Sequence, residues 1–166
     1  MDELKPEWIV VKIEGFDLLT YARAMMESSI DVLTNDDFLV ASALIITDEN
    51  IHGIYVSYDG QDEKEQVYGE VVKYARRVKA IAIVTVNDSY VGEPDDVEDY
   101  YPGKLKEIGS KEAIMITISG PGIKSKVLRV MYERVKGRIR FGQVEEEDGI
   151  TIGLLHDWAD NIKSVN

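Results

Sequence analysis

Apolar residues recur at three- and four-residue spacing in two segments of the chain, which predicts two amphipathic helices. The first is predicted over Asp17 to Leu33, with Asp17 as its N-cap, because an aspartate carboxylate accepts hydrogen bonds from unpaired N–H groups of the first turn. The second is predicted over Asp62 to Lys79, where Asp62 and Glu65 have the spacing of a capping box. Each helix has one apolar stripe and therefore has to pack against another element.

Shorter apolar runs between turn residues predict strands. Leu39 to Thr47 and Ile51 to Tyr58 form a hairpin across a polar link. Ala80 to Val86 is predicted to be a buried strand and follows a helix, so a crossover is expected to place it parallel to a neighbouring strand. Three further strands form a predicted antiparallel meander: Glu112 to Ser119, Lys126 to Arg134 and Arg138 to Val144.

The remaining segments have weaker patterns. Trp8 to Glu14 fits either a short strand or the first turns of a helix, and Leu154 to Ile162 has helical spacing. Asn87 to Gly109 is predicted to be irregular, and a long irregular segment inside a compact domain is often functional.

These elements predict an α+β fold with a mixed, mainly antiparallel sheet and helices packed mostly on one face. The order is helix, hairpin, helix, strand and meander. At 166 residues the chain is expected to be a single domain, residues 1–166.

Composition narrows the possible functions. The chain contains no cysteine, which excludes disulfides, thiolate metal sites and cysteine nucleophiles. No apolar run is long enough to cross a membrane, and the first residues are charged and interrupted by proline, so we expect no signal peptide, no membrane association and a cytoplasmic location.

Charge argues against a nucleic-acid partner. The formal net charge is −12, from 31 acidic and 19 basic residues, and such a surface repels phosphates. Basic residues do cluster between Lys124 and Arg140, which fits either an anion-binding face or, as we favour, the polar face of an edge hairpin.

Three familiar catalytic patterns are incomplete. The stretch Ser119 to Lys126 contains glycine, lysine and serine, but its glycines are too close for a P-loop and a strand follows it, so we interpret it as a hairpin turn. The two histidines, His52 and His156, lack partners at metal-binding spacing and are interpreted as structural or surface residues. The serine nucleophile motif G-x-S-x-G is absent.

The segment after Val86 contains the candidate site residues. Ligands often bind beyond the carboxyl ends of strands, and carboxylates suit Mg²⁺ or Ca²⁺. The same segment contains tyrosines, which suit interfaces because an apolar ring ends in a polar hydroxyl. The candidates for a ligand or an interface are Asp88, Tyr90, Glu93, Tyr100 and Tyr101, and the candidates for a metal are Asp88, Asp95 and Asp96. The alternative interpretation is a solvated acidic loop.

Two resemblances add to this picture. The order helix–strand–strand–helix–strand resembles the opening of the zinc deaminase fold, but the deaminase signature needs cysteines that this chain lacks. The C-terminal half resembles a loosely defined family of uncharacterised prokaryotic proteins through Ala80 to Thr85, Lys111 to Thr117 and Arg140 to Gly142. That resemblance supports the fold and implies no activity.

Two hypotheses of different classes follow. The first is a non-catalytic domain that binds a partner or self-associates as a homo-oligomer, through the tyrosine-bearing segment or an exposed strand edge, and needs no cofactor. The second is a small metal-dependent hydrolase that uses Asp88 with Glu93, Asp95 or Asp96 and a divalent cation.

Overall fold

The computed structural model describes residues 9–12, 17–91, 111–121 and 123–148. Within these ranges the chain forms two helices and one sheet of seven strands. The elements in chain order are β1 (Ile9–Lys12), α1 (Leu18–Asp36), β2 (Ser42–Ile46), β3 (Asn50–Tyr55), α2 (Gln61–Arg77), β4 (Ala82–Val91), β5 (Lys111–Ser119), β6 (Lys126–Val135) and β7 (Arg138–Asp148). The predicted α+β class is confirmed, and of the two interpretations of Trp8 to Glu14 the strand is correct.

The sheet has the order β1-β3-β2-β4-β5-β6-β7, and all its neighbouring strands pair antiparallel. The mainly antiparallel sheet is therefore confirmed, but the prediction that Ala80 to Val86 lies next to a parallel strand is wrong. Strand β4 does run in the same direction as β3, as the crossover through α2 requires. The two strands are not adjacent because β2 lies between them and pairs with both.

The two helices pack on opposite faces of the sheet, so the expectation that they share one face is wrong. Along β4, Ala82, Val84 and Val86 lie in the core with α1, whereas Ile83 lies in the core with α2. The connections explain this arrangement. The steps from β1 to β2 and from β3 to β4 move the same way across the sheet, but β1 and β3 run in opposite directions. Crossovers of the same hand therefore place their helices on opposite faces.

Each face has its own core, and we name the faces after their helices. On the α1 face, buried residues of α1 pack on alternate residues of β2, β4, β5 and β6. The core there includes Met26, Leu33, Ile46, Ile114, Ile116, Leu128 and Tyr132. On the α2 face, α2 packs on β2 and β4 through Tyr68, Val71, Val72, Ala75, Ala43, Ile45 and Ile83. Two-sided burial explains why β2 and the first half of β4 are apolar apart from Ser42 and Thr85.

The sequence predicted the N-cap of α1 correctly but not that of α2. Asp17 caps α1 as predicted, since its Oδ1 accepts from the backbone N–H of Leu19 at 2.9 Å. The predicted capping box of α2 is wrong. Gly60, with φ of 85°, is the N-cap, and the Glu63 carboxylate accepts from the backbone N–H of Asp59 at 3.1 Å.

Two glycine-containing turns connect the meander. Lys136 and Gly137, with φ of 50° and 77°, form the two-residue turn between β6 and β7, where positive φ at both positions matches the twist of the strands. Gly120 follows β5, and a Cβ atom built on it would lie 2.4 Å from the backbone oxygen of Ile81. The predicted hairpin turn after Ser119 therefore needs glycine because the backbones approach closely there.

Strand β7 contains a bulge and runs four residues beyond its predicted end at Val144. Val130 of β6 pairs with Val144, but Tyr132 pairs with Phe141, so one residue of β6, Met131, is matched by two of β7. Gly142–Gln143 thus occupies a single ladder position. As a result Phe141 and Val144 both lie on the α1 face.

Candidate binding surface

Asp88 and Tyr90 lie in strand β4, which continues to Val91. The expectation that the chain becomes irregular at Asn87 is therefore wrong, because Asn87 to Val91 pair with β5. The other candidates from that segment lie outside the described residues: Glu93, Asp95, Asp96, Tyr100 and Tyr101.

Asp88 lies on the α1 face, where it accepts a hydrogen bond from a tyrosine of β6. The Tyr132 hydroxyl donates to Asp88 Oδ1 at 2.6 Å, and Tyr132 itself is only 3% exposed. Burial raises the pKa of Asp88, and the hydrogen bond from Tyr132 opposes part of that rise. The pKa of Tyr132 is also raised, by its burial and by its donation to Asp88.

Arg134 extends this pair into a network that reaches the end of α1. Its guanidinium forms an ion pair with Asp37, the C-cap of α1, and its Nε lies 3.4 Å from Glu112 Oε2. It also lies 5.8 Å from the centre of the Tyr132 ring. Tyr90 pairs with Glu112 across the sheet. The network therefore links the end of α1 to β4, β5 and β6.

The pKa of Tyr90 is raised, first by burial and then by the nearby carboxylates of Glu112 and Asp88. The phenol of Tyr90 therefore stays neutral to a higher pH than an ordinary tyrosine does.

Sequence reasoning identified Asp88 and Tyr90 but missed the side chains that surround them. Tyr132, Arg134 and Glu112 become neighbours only through the pairing of β4 with β5 and of β5 with β6. Each has an ordinary strand pattern, so no local signal in the sequence indicates the network.

Two observations on the described residues concern metal ligands and pockets. Among them no group of three histidine or acidic side chains could hold a metal ion. A depression of about 210 Å³ lies beside β6 and β7, below the roughly 300–1,000 Å³ of a typical ligand pocket. It is lined by Lys111, Met131, Tyr132, Glu133, Arg140, Phe141 and Gly142.

Large apolar side chains are exposed at the end of the sheet that contains the C-terminal part of β4. Phe38 is 65% exposed and Val40 39%, both in the segment that leads from α1 to β2. Tyr55, at the end of β3, is 70% exposed, and Tyr90 is 37% exposed. The pairing of Tyr55 with Ser42, and of Ser42 with Val86, places these positions at one end of the sheet. We call Phe38, Val40, Tyr55 and Tyr90 the aromatic end.

Polar groups on the α2 face serve the packing of α2. His52 is buried and its Nδ1 lies 2.7 Å from the hydroxyl of Tyr74, while burial lowers its pKa. The Tyr68 hydroxyl donates to Asn87 at 3.3 Å, and burial raises the pKa of Tyr68 to about 12. His156 lies outside the described residues.

Most of the basic stretch from Lys124 to Arg140 is engaged in ion pairs with acids of the same chain. Arg129 binds Glu145 at 2.7 Å, and Lys124 binds Asp148 at 2.9 Å. Lys126, Arg134 and Arg140 also have acidic partners. This pairing supports the edge-hairpin interpretation of the stretch over the anion-binding face.

Comparisons with known proteins gave no match to a protein-family model, to a curated protein or to a solved structure. The resemblance to uncharacterised prokaryotic proteins therefore stays a prediction from the sequence. In the described part of the chain, no helix has the length and apolar character needed to cross a membrane.

Proposed function

We propose that this chain is a non-catalytic protein-binding domain and that the aromatic end is its binding surface. The observation that carries the proposal is the exposure of Phe38 and Tyr55, at 65% and 70%, at the same end of the sheet as Val40 and Tyr90. Single exposed apolar residues are common, but several at one end of a sheet are typical of an interaction site.

The chemistry of the surface favours a protein partner. Phenylalanine and tyrosine supply large contact areas with few rotatable bonds, so ordering them on binding costs little entropy. The ion pairs of Arg134 with Asp37 and Glu112 lie beside Tyr90 and provide a fixed polar border. An apolar centre with a polar rim is the usual composition of a protein interface.

The proposal predicts that removal of the two most exposed rings abolishes partner binding. The double variant Phe38→Ser/Tyr55→Ser and the wild type would be immobilised, and the proteins that each retains from a cell extract would be compared. Ile81→Ser is the matched control, since Ile81 is also exposed but precedes β4 at the opposite end of the sheet. We expect proteins that the wild type and the control retain and that the double variant loses.

Equal retention by all three chains, with circular dichroism showing that all are folded, would contradict the aromatic end as the binding surface. Retention of no specific protein by the wild type would also count against the proposal.

The alternative function is a small metal-dependent hydrolase that uses the acidic segment after Val86. Of its candidate ligands, Asp88 belongs to the described residues, where it accepts from Tyr132. Binding of a divalent cation that depends on Asp88 would favour this alternative. A cytoplasmic location and the lack of a nucleic-acid partner stay predictions from the sequence.

A further inference from the structure

Strand β7 forms one edge of the sheet, and its outer side pairs with no strand of the described ranges. All of its side chains are exposed or half-buried, and Val144 is 46% exposed. The charges along it are divided in two. Arg138 and Arg140 lie in the first half, and the second half is the acidic run Glu145 to Asp148.

We propose that two copies of this chain pair antiparallel along β7, about a two-fold axis through the Gly142–Gln143 bulge. The result would be one continuous sheet across a homodimer. The inference rests on the charges and the register of β7 and is independent of the aromatic end.

The bulge fixes the register. Gly142–Gln143 occupies one ladder position. A two-fold axis through this position therefore places Phe141, just before the bulge, opposite Val144 of the second copy, just after the bulge. Side chains that face each other then lie on the same face of the sheet, as antiparallel pairing requires. The resulting pairs are Arg138 with Glu147, Arg140 with Glu145, Ile139 with Glu146 and Phe141 with Val144, and the two-fold axis generates each pair twice.

On the α2 face this register produces a row of alternating charges across four strands. Within one chain Glu133 contacts Arg140 at 3.5 Å, and Arg129 contacts Glu145 at 2.7 Å. The dimer would place Arg140 of one copy opposite Glu145 of the other. Each Glu145 carboxylate would then lie between two guanidinium groups, and Arg138, which has no ion pair among the described residues, would gain Glu147 of the second copy.

On the α1 face the same register joins one apolar pair, Phe141 with Val144, while Ile139 faces Glu146. Phe141 packs against Tyr132 with 5.9 Å between the ring centres, and the exposed Val144 of the second copy would cover its outer side. Aromatic and β-branched residues are favourable cross-strand partners.

Charged residues and bulges also protect sheet edges from unwanted pairing. On β7 the charges oppose a parallel arrangement, in which the two acidic halves would lie side by side. They favour the antiparallel register, in which each acidic half faces a basic half. The edge therefore selects one partner geometry, that of a second copy.

The first test is the monomer–dimer equilibrium of the full chain, measured by sedimentation velocity over a range of protein concentrations. We expect a dimer whose Kd rises about tenfold or more in Arg138→Glu/Arg140→Glu and in Glu145→Lys/Glu147→Lys. Mixing the two variants should restore association as a heterodimer. Lys73→Glu/Arg76→Glu on α2 changes the net charge as much as the arginine variant does and should leave the wild-type Kd unchanged.

A single cysteine provides a test of the register, since the chain has no other. Gln143→Cys places one thiol at the two-fold axis and should form a disulfide-linked dimer under mild oxidation. Gln66→Cys, exposed on α2, is the matched control and should remain monomeric on a non-reducing gel. A wild type that is monomeric throughout, a dimer insensitive to the β7 variants, or equal cross-linking of the two cysteine variants would overturn the proposal.

Discussion

Asp88 shows how a single carboxylate can be partly removed from water and yet supported by hydrogen bonding. Removal from water disfavours its charged form, while the Tyr132 hydroxyl at 2.6 Å stabilises that form. The raised pKa indicates that burial outweighs the hydrogen bond. Because the folded-state pKa lies above the unfolded one, the folded protein binds this proton more tightly. Its stability therefore falls as pH rises through the interval between the two pKa values.

Asp88→Asn is predicted to remove this pH dependence. Asparagine keeps an oxygen that can accept from Tyr132 but carries no charge to bury. The free energy of unfolding of Asp88→Asn should exceed that of the wild type by the largest amount near neutral pH. That difference should shrink on acidification below the pKa of Asp88, because the wild-type carboxyl is then protonated as well, and solvent screening of a partly exposed group keeps it small.

Urea unfolding at several pH values provides the measurement, with Asp62→Asn as a control for loss of one negative charge at an exposed site. A difference between Asp88→Asn and wild type that is constant with pH would contradict the assignment of burial as the cause of the raised pKa.

At the scale of elements, much of the fold could be predicted because periodicity and turn chemistry are local. The stripe of α1, the cap by Asp17 and the Lys136–Gly137 turn were all readable in the sequence. Strand β7 was predicted too short, since its exposed acidic end has no apolar alternation to indicate a strand. The face of the sheet on which each helix packs could not be predicted from the sequence, because it depends on which strands are neighbours in the sheet.

Gly120 and Gly69 form a matched pair for testing the turn after β5. A Cβ at Gly120 would lie 2.4 Å from the Ile81 backbone oxygen, so Gly120→Ala requires a backbone shift and should destabilise the fold by about 1–3 kcal/mol. Gly69 lies within α2 with nothing within 4 Å of a built Cβ. Gly69→Ala should stabilise by about 0.5–1 kcal/mol, because alanine favours the helix.

Chemical denaturation of both alanine variants checks this prediction. An equal effect of the two substitutions, in either direction, would show that the close approach at Gly120 does not constrain the turn.

At the scale of the molecule, the two proposed surfaces are compatible. The axis through β7 would be perpendicular to the sheet, so the two copies would direct their aromatic ends in opposite directions. A homodimer of this kind would carry two separate binding surfaces. That arrangement follows from the strand order, in which β7 is the outermost strand and the aromatic end is carried by β3, β4 and the segment before β2.

Divalent cations provide the test that separates a binding domain from a metal-dependent hydrolase. A metal that binds the folded state must stabilise it by mass action, by about 2.7 kcal/mol at a concentration one hundred times the Kd. We expect millimolar Mg²⁺, Mn²⁺ or Ca²⁺ to leave the melting temperature at the value found in NaCl of equal ionic strength. The NaCl control is essential because a net charge of −12 gives any salt a screening effect on stability. A rise in melting temperature beyond the NaCl control that disappears in Asp88→Asn would instead identify a metal site at Asp88 and favour the hydrolase.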